Sequence, residues 1–335
     1  VGRARHEGHG LSVIEARYHD SVNVLQALSG VETRTPFDRA EWFALLAATG
    51  LEPLVAIASD ASSTAALALT EAGGRITPLR NWYSFTWREL APAGEAGDRL
   101  LGAIARQLKG RGWRVTLEPV PEEDGSASRL AHVFRAAGWQ VAVEPCDINH
   151  VLHVRGRSFA DYWQTRPGPL RTTLKRKAKK VEVEVLTRFD PHIWADYEAI
   201  YAASWKPAED HPAMLRAFAE AEGAAGRLRL GIARADGITV AAQAWSVENG
   251  TAYIHKLAYL DSHKHLSAGT TLTAELFRHV IDTDGVALVD FGTGDQSYKA
   301  DWMEEVRRRY RIDCLDPRSL RAWPALAKRL LRPSR

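Results

Sequence analysis

The chain has 335 residues, of which 45% are apolar and 25% charged, a composition that argues against a disordered or coiled-coil protein. The net charge of +3 is small but unevenly placed, with basic clusters at residues 175–180 and after Pro317. Such clusters suit phosphates or acidic lipid head groups, although they are equally typical of a solvated surface. The two cysteines, Cys146 and Cys314, argue against a disulfide scaffold and a cysteine-based zinc site.

No apolar run approaches the ~18 residues that a transmembrane helix needs. The sequence therefore indicates a cytoplasmic protein, at most peripheral at the inner membrane face. Two basic amphipathic stretches, residues 170–182 and 318–335, suggest contact with an acidic membrane surface. The alternative is that each stretch docks on the protein by its apolar side. Nucleic acid is not expected as a partner.

Helix and strand patterns alternate along the first half of the chain. In chain order we predict a helix at 38–48, strands at 54–59 and 65–70, a helix at 96–109, a strand at 113–119, a helix at 126–138 and a further strand. The second half is predicted to contain a meander of three strands with an Asn249-Gly250 hairpin, a helix at 267–282, a strand, a short helix and a terminal strand.

The order of these elements occurs twice. A shift of 176 residues places Leu54 on Leu230 and Gly74 on Gly250, and a shift of 173 places Gly112 on Gly285. We therefore predict two copies of one unit, with domains at residues 1–160 and 161–335. The expected fold class is α+β, in which each unit is a mixed, mostly antiparallel sheet flanked by helices. A Rossmann fold is not expected, because its phosphate loop would follow the first strand of a parallel unit.

A basic and small-residue turn, HKHLSAGT, joins a strand to the helix of the second unit. Backbone N–H groups at such a helix start attract anions, and the small residues Ser267, Ala268 and Gly269 let a ligand approach closely. The alternative is that Ser267 is an ordinary helix cap.

The matching segment of the first unit, APAGEAGD, offers a control. It places Glu95 and Asp98 at the helix start, where carboxylates satisfy the helix dipole and would repel a phosphate. The sequence thus predicts one open anion site and one that is closed by its own side chains.

Two motifs in the second unit resemble the GNAT acyltransferases. The loop Lys264-His265-Leu266-Ser267-Ala268-Gly269 is similar to the family's Q/R-x-x-G-x-G/A, with Lys for the first basic residue and Ser for the first Gly. A second motif, DFGxGxxxYKxxW, is carried by Asp290, Phe291, Gly292, Gly294, Tyr298, Lys299 and Trp302. Together with NWYS at 81–84 and Trp205, they resemble the tandem group of CelD-like or BioF2-like acetyltransferases, relatives of the FemAB fold.

This resemblance covers residues 20 to 315 and implies an acyl-CoA or acetyl-CoA co-substrate. Its pyrophosphate would lie on the loop of the second unit, while the first unit would be degenerate for CoA. The implied cofactor-binding residues are Leu257, Tyr259, Lys264, His265, Leu266, Ser267, Ala268, Gly269, Thr270 and Lys299. Backbone N–H groups around Leu257 and Tyr259 would meet the thioester carbonyl. Lys299 would contact phosphate or orient a carboxylate, or else be a surface lysine.

Acyl transfer to an amine needs a base and an acid for the departing thiolate. His255, on the strand that enters the cofactor site, is our candidate base, and Tyr298 is our candidate acid. Asp295 lies near Tyr298 in the helical spacing and completes the predicted catalytic set. No G-x-S-x-G motif occurs, so we expect direct attack by the amine rather than a covalent acyl-enzyme. No metal is assigned.

The sequence is less specific about the amine that would accept the acyl group. Trp82, Tyr83 and Trp205 are candidate substrate-binding residues in a cleft between the units, although aromatic residues more often fill cores. A small-molecule or lipid amine, such as a sphingoid base or an envelope sugar amine, is the expected acceptor. Two other functions stay open: a FemAB-type transferase that uses aminoacyl-tRNA, and a non-catalytic acyl-CoA-binding module in envelope or polysaccharide assembly.

Overall fold

A computed structural model describes residues 13–28, 31–204 and 206–331. The candidate substrate residue Trp205, and the basic residues Arg332 and Arg335 of the tail, lie outside the described residues. The first repeat contains β1 (Glu15–His19), α1 (Ala40–Ala47), β2 (Leu54–Ser59), β3 (Thr64–Ala72), β4 (Arg75–Pro78), α2 (Gly94–Leu108), β5 (Arg114–Pro121), α3 (Ser126–Ala136) and β6 (Gln140–His153).

The second repeat follows two connecting helices, α4 (Phe159–Gln164) and α5 (Gly168–Lys177). It contains β7 (Glu182–Leu186), α6 (Pro191–Ala202), α7 (Pro212–Ala224), β8 (Leu228–Ala235), β9 (Ile238–Glu248), β10 (Thr251–Tyr259), α8 (Ala268–Arg278), β11 (Leu288–Thr293), α9 (Ser297–Ala300) and β12 (Glu305–Leu315), with α10 (Trp323–Leu330) after it. Apart from α6, which stands where the first repeat has a short 3-10 turn, the order of elements is the same in both.

The twelve strands within the described residues form one sheet, in the order β1-β2-β3-β4-β5-β12-β6-β11-β10-β9-β8-β7. The neighbours are antiparallel except for β4 with β5 and β10 with β11, which are parallel. The predicted mixed, mostly antiparallel sheet flanked by helices is therefore confirmed.

The last strand of each repeat lies in an exchanged position. β12 inserts between β5 and β6, while β6 pairs with β11, so each repeat's sheet is extended by the other repeat's last strand. Buried residues on β12 hold this arrangement, among them Ile312, which pairs with Leu117 on one side and Val143 on the other. Because of this exchange, the strands of both repeats belong to one hydrogen-bonded sheet. The predicted domain boundary between residues 160 and 161 stays a prediction.

The helices cover the sheet because each presents an apolar stripe to it. α2 buries Leu100, Leu101 and Ile104 on the first half, and α8 buries Leu272, Leu276 and Phe277 on the second. Over the described ranges, every helix is too short or too polar to cross a bilayer.

Candidate functional site

The strands β10 and β11 separate after a short paired region. Their parallel pairing covers only Thr251 to Tyr253 against Leu288 to Asp290, and β10 then continues along β9 as far as Tyr259. Backbone groups on the free edge of β10 therefore face an opening in the sheet. Leu257 lies on this free edge, since its carbonyl accepts a hydrogen bond from the Lys206 side chain rather than from β9. Its N–H lies on the same edge.

The loop that follows β10 leads into α8. A 3-10 turn at Asp261–Leu266 brings the chain to Ser267, whose φ of 53° is in the left-handed region. Helical hydrogen bonds begin with Thr271 N, which donates to Ser267 O at 3.1 Å, and the Ser267 side chain caps none of the first amides. The N–H groups of Ala268, Gly269 and Thr270 are therefore available at the positive end of the helix dipole.

A buried glutamine on β9 holds the start of α8 by hydrogen bonds. Gln243 Nε2 donates to Gly269 O at 3.2 Å and to Thr273 Oγ1 at 2.7 Å, while Trp245 Nε1 donates to Gln243 Oε1 at 3.0 Å. Because both the NH2 group and the carbonyl oxygen of the Gln243 side chain are hydrogen-bonded in this way, the start of α8 is held in one position. Gly269 also packs against the Tyr259 ring, 3.4 Å from where a Cβ would lie.

A groove of about 420 Å³ runs from this loop into the opening between the strands, and we call it the donor groove. Its walls include Leu257, Tyr259 and the loop residues Ser267, Ala268, Gly269 and Thr270, with His263 and Lys264 at the basic end. Helix α5 borders it: Leu170 lines the groove and Lys177 Nζ bonds to His265 O. Lys177 of the basic run 175–180 thus lies beside the loop, near the basic residues His263 and Lys264.

A second cavity, of about 470 Å³, lies on the other side of the opening, and we call it the acceptor cavity. Both repeats build it, since Trp42, Tyr83 and Phe85 come from the first and Tyr201 and Phe218 from the second. Its wall is mainly aromatic, which suits an apolar or ring-shaped ligand.

Charged groups stand among these aromatic rings. Glu209 accepts hydrogen bonds from Tyr83 Oη at 2.7 Å, Tyr197 Oη at 3.3 Å and Lys256 Nζ at 2.6 Å. Burial, and then the hydrogen bond to Glu209, raise the pKa of Tyr83, so its hydroxyl stays protonated. The pKa of Lys256 is lowered by burial, against the stabilising effect of Glu209.

Two further lysines line the acceptor cavity, Lys206 and Lys299. Lys206 Nζ donates to Leu257 O, and Lys299 Nζ donates to the carbonyls of Gly292 at 3.3 Å and Gly294 at 3.2 Å. Burial lowers the pKa of each to about 8.

The predicted base, His255, faces the acceptor cavity at a bulge of β10. The register against β9 shifts between Ile254 and Lys256, which turns His255 and Lys256 towards one cavity. Its Nε2 lies 2.7 Å from Ser246 Oγ. Burial lowers the pKa of His255 to about 3, so the imidazole is neutral at physiological pH.

The predicted acid, Tyr298, lies where the two spaces meet. Leu257, Phe291 and Tyr298 line both the donor groove and the acceptor cavity. Burial, and then the neighbouring Tyr259, raise the pKa of Tyr298, so its hydroxyl carries a proton that it can donate.

Other predicted site residues lie elsewhere. Asp295 points away from both spaces and pairs with His150 Nε2 at 3.1 Å, with 79% of its side chain exposed. His265 and Leu266 belong to the 3-10 turn but do not line the donor groove. Lys299 lies on the acceptor side rather than beside the anion loop, and Trp82 forms the rim of the acceptor cavity, 70% exposed.

Three cavity residues were missed from the sequence: Lys206, Glu209 and Lys256. A signal existed for Lys256, since a lysine inside the apolar strand TAYIHKLAY is costly to bury without a partner. Asp290 gave the same signal, and it does have partners, Asn149 Nδ2 at 3.1 Å and Gly292 N at 2.7 Å. The described part of the chain contains no cluster of potential metal ligands.

The corresponding loop of the first repeat is closed, but not by the carboxylates that the sequence suggested. Neither Glu95 nor Asp98 caps α2, and Glu95 is exposed. Instead Arg129 of α3 lies over the loop, with Nη2 donating to Pro92 O at 2.6 Å and Nε to Asp98 at 2.6 Å. A helical neighbour thus supplies the closing group, which the local sequence could not reveal.

Comparison with known proteins places this geometry in a family context. Residues 169–300 match the model of the acetyltransferase (GNAT) domain. No curated protein matches the chain. FemX is similar in structure, with a TM-score of 0.63 and 10% identity over 95% of this chain and 99% of FemX.

Two further solved structures are similar. A C-terminal DUF2156 domain from Agrobacterium fabrum has a TM-score of 0.57 and 13% identity, over 86% of this chain and 91% of that one. L-PGS from Bacillus licheniformis has a TM-score of 0.54 and 13% identity, over 82% and 88%. At these identities the likeness concerns the fold alone. The region similar to the acetyltransferase (GNAT) domain includes the loop before α8, the diverging strands and Tyr298.

Proposed function

We propose that the protein is an acyl-CoA-dependent N-acyltransferase, of the CelD-like or BioF2-like group. The observation that carries this proposal is the meeting of the donor groove and the acceptor cavity at Leu257, Phe291 and Tyr298. A thioester that enters along the groove would reach the amine at this junction. The free helix-start amides and the basic residues around them suit the CoA pyrophosphate, and the run on α5 suits its remaining phosphate.

The proposed reaction is a direct displacement. The amine nitrogen attacks the thioester carbon, a C–N bond forms and the C–S bond breaks. The N–H of Leu257 faces the opening and would stabilise the negative charge that develops on the carbonyl oxygen. Tyr298 would give its proton to the departing thiolate of CoA and recover one from solvent.

The amine must also lose a proton. His255 is neutral and faces the cavity, but a pKa of about 3 makes it a weak base. The lysines around the cavity would compensate, because neighbouring positive charges lower the pKa of a bound ammonium group. We propose that the amine proton passes to His255 and on to solvent after this electrostatic lowering.

A lipid amine or an envelope sugar amine remains our proposed acceptor class, since both would use the aromatic wall. Peripheral membrane contact through residues 318–335 would suit a lipid acceptor. There Trp323 and Leu330 are 56% and 88% exposed beside Arg321 and Lys328. Sedimentation with phosphatidylglycerol vesicles tests this contact, and equal pelleting with neutral phosphatidylcholine vesicles would contradict it.

The second candidate function is an aminoacyl-tRNA-dependent transferase of FemAB type. It is favoured by the basic helix α5 beside the mouth of the donor groove, because a tRNA would need such a surface. A non-catalytic acyl-CoA-binding module is the third candidate.

One experiment separates these functions. Thermal-shift and mass-spectrometric screening would use acetyl-CoA, long-chain acyl-CoAs and charged tRNA, each with a panel of amines. We expect stabilisation by CoA species and acylated amines as products. Binding of acyl-CoA without product would indicate the binding module, and failure of every CoA species to bind would overturn the proposal.

A further inference from the structure

The charges that line the acceptor cavity do not balance. Lys256 is paired with Glu209, whose two carboxylate oxygens are already used by Lys256 and two tyrosines. Asp210 lies on the exposed rim. Among the residues that the structure describes, neither Lys206 nor Lys299 forms an ion pair. Lys206 Nζ donates to the Leu257 carbonyl, whereas Lys299 Nζ donates all three of its N–H groups, to the carbonyls of Gly292, Thr293 and Gly294.

Such a pair of ammonium groups is costly in a cavity of this kind. A buried charge without a counter-ion loses solvation that carbonyl dipoles replace only in part. Lys299 is 4% exposed, and burial, followed by the charges of Lys256 and Lys299, lowers the pKa of Lys206. An anionic ligand would relieve this cost, since it supplies the missing negative charge.

The two lysines also mark where the anion would bind. Lys206 contacts the carbonyl of Leu257 on β10, and Lys299 contacts the carbonyls at the end of β11. They therefore flank the junction of the two spaces from the two diverging strands. A negative group held there lies within a few bonds of an amine that attacks at the same junction.

We propose that the acceptor is an amine that carries a carboxylate close to its nitrogen, as in an amino acid, and that Lys206 binds this carboxylate while the charge of nearby Lys299 favours it. This inference rests on the proposed function and narrows its acceptor: within the apolar amines considered above, it selects those that also carry a carboxylate, in place of a sphingoid base or a sugar amine without one. The aromatic wall formed by Trp42, Tyr83, Phe85 and Phe218 would hold an apolar body attached to the same molecule.

Three ligands that share a phenyl ring on a two-carbon chain test the proposal by calorimetry on the full chain. L-phenylalanine carries both groups, 3-phenylpropanoate carries only the carboxylate, and 2-phenylethylamine carries only the amine. We expect both carboxylates to bind roughly 10-fold or more tightly than 2-phenylethylamine. Equal or tighter binding of 2-phenylethylamine, or failure of both carboxylates to bind at millimolar concentration, would overturn it.

The variant Lys206→Met removes one charge and keeps the length of the side chain. It should abolish the preference for carboxylates, whereas Lys109→Met should keep it. Lys109 is a matched control, because it also donates to a backbone carbonyl, Gly138 O at 2.9 Å, but lies outside the cavity. If Lys206 serves only to hold the Leu257 carbonyl and so to position the Leu257 N–H, the variant would lower kcat and leave the preference for carboxylates intact, which would contradict the inference.

Proton uptake gives an independent readout. An anion favours the charged form of a lysine, so binding at pH 8 to 9 should take up protons, and carboxylate affinity should fall as pH rises above about 8. Binding heats in buffers of different ionisation enthalpy measure this uptake. Acetyl-CoA binding is measured on the same samples: its absence would overturn the proposed function, whereas its presence with no preference for carboxylates would overturn this inference alone.

Discussion

The two repeats open their sheets at the same place and fill the opening differently. In the second repeat β10 and β11 part after three paired residues, and the space stays open as the donor groove. In the first repeat β4 and β5 part after two, and residues 86–90 enter the space. Trp87 N donates to Pro119 O on one side, and Leu90 bridges Ala66 on the other.

This difference shows how two copies of one unit can share a fold while only one keeps its opening. Buried Trp87 fills the opening of the first repeat by side-chain packing, with its Nε1 donating to Ala68 O at 2.9 Å. Arg129 then covers the helix start that would hold an anion. The first repeat instead contributes Tyr83 and Phe85 to the acceptor cavity of the second.

The largest expected effect comes from reopening the first repeat with Trp87→Ala. Loss of a fully buried tryptophan should lower the free energy of unfolding by about 4 kcal/mol, measured in urea. CoA binding should stay at one molecule per chain, because Arg129 still covers the loop. The control is Trp82→Ala, whose 70% exposed ring should cost far less. Two CoA molecules per chain in the Trp87 variant would contradict the comparison.

The next effect concerns the open loop of the second repeat. Gly269→Asp places a carboxylate beside the proposed pyrophosphate and should weaken CoA binding by roughly 100-fold. The isosteric neutral variant Gly269→Asn should lose much less. Because an acid at a helix start is favourable, the melting temperature should not fall. An unchanged Kd for CoA by calorimetry would exclude this loop as the site.

A smaller effect is expected at the junction of the two spaces. Tyr298→Phe removes the proposed proton donor and should lower kcat by about 10- to 100-fold, with the Kd for CoA nearly unchanged. Steady-state kinetics with calorimetry separates these quantities. Full activity of the variant would show that the thiolate takes its proton elsewhere.

The smallest effect near neutral pH is a pH dependence of stability, which grows only in acid. His255 has a pKa of about 3 when folded and 6.5 in its ordinary state, so the unfolded chain binds an extra proton between these values. Stability should therefore fall as pH drops from 6.5 towards 3, by up to about 1.4 kcal/mol per pH unit from this residue. His255→Gln should flatten that slope in urea unfolding. An unchanged slope in His255→Gln would show that the buried imidazole does not titrate in this way.

Periodicity and turn chemistry predicted most elements of both repeats and the helix after Ser267, because these depend on neighbours in the chain. The strands β1, β4 and β7 and the helix α6 were missed. The same local reasoning named Gly269 and Tyr298, which do line the donor groove. It misplaced the function of Asp98, since the partner that matters, Arg129, is 31 residues away.

The sequence by itself determined an α+β chain with a duplicated unit and one open, basic helix start. The tertiary structure decided the exchange of β6 and β12, the filling of the first opening by Trp87 and the gathering of Lys206, Glu209, Lys256 and Lys299 around one cavity. These features depend on contacts between residues far apart in the chain, where side-chain burial and charge are set by the packed neighbours rather than by the local pattern.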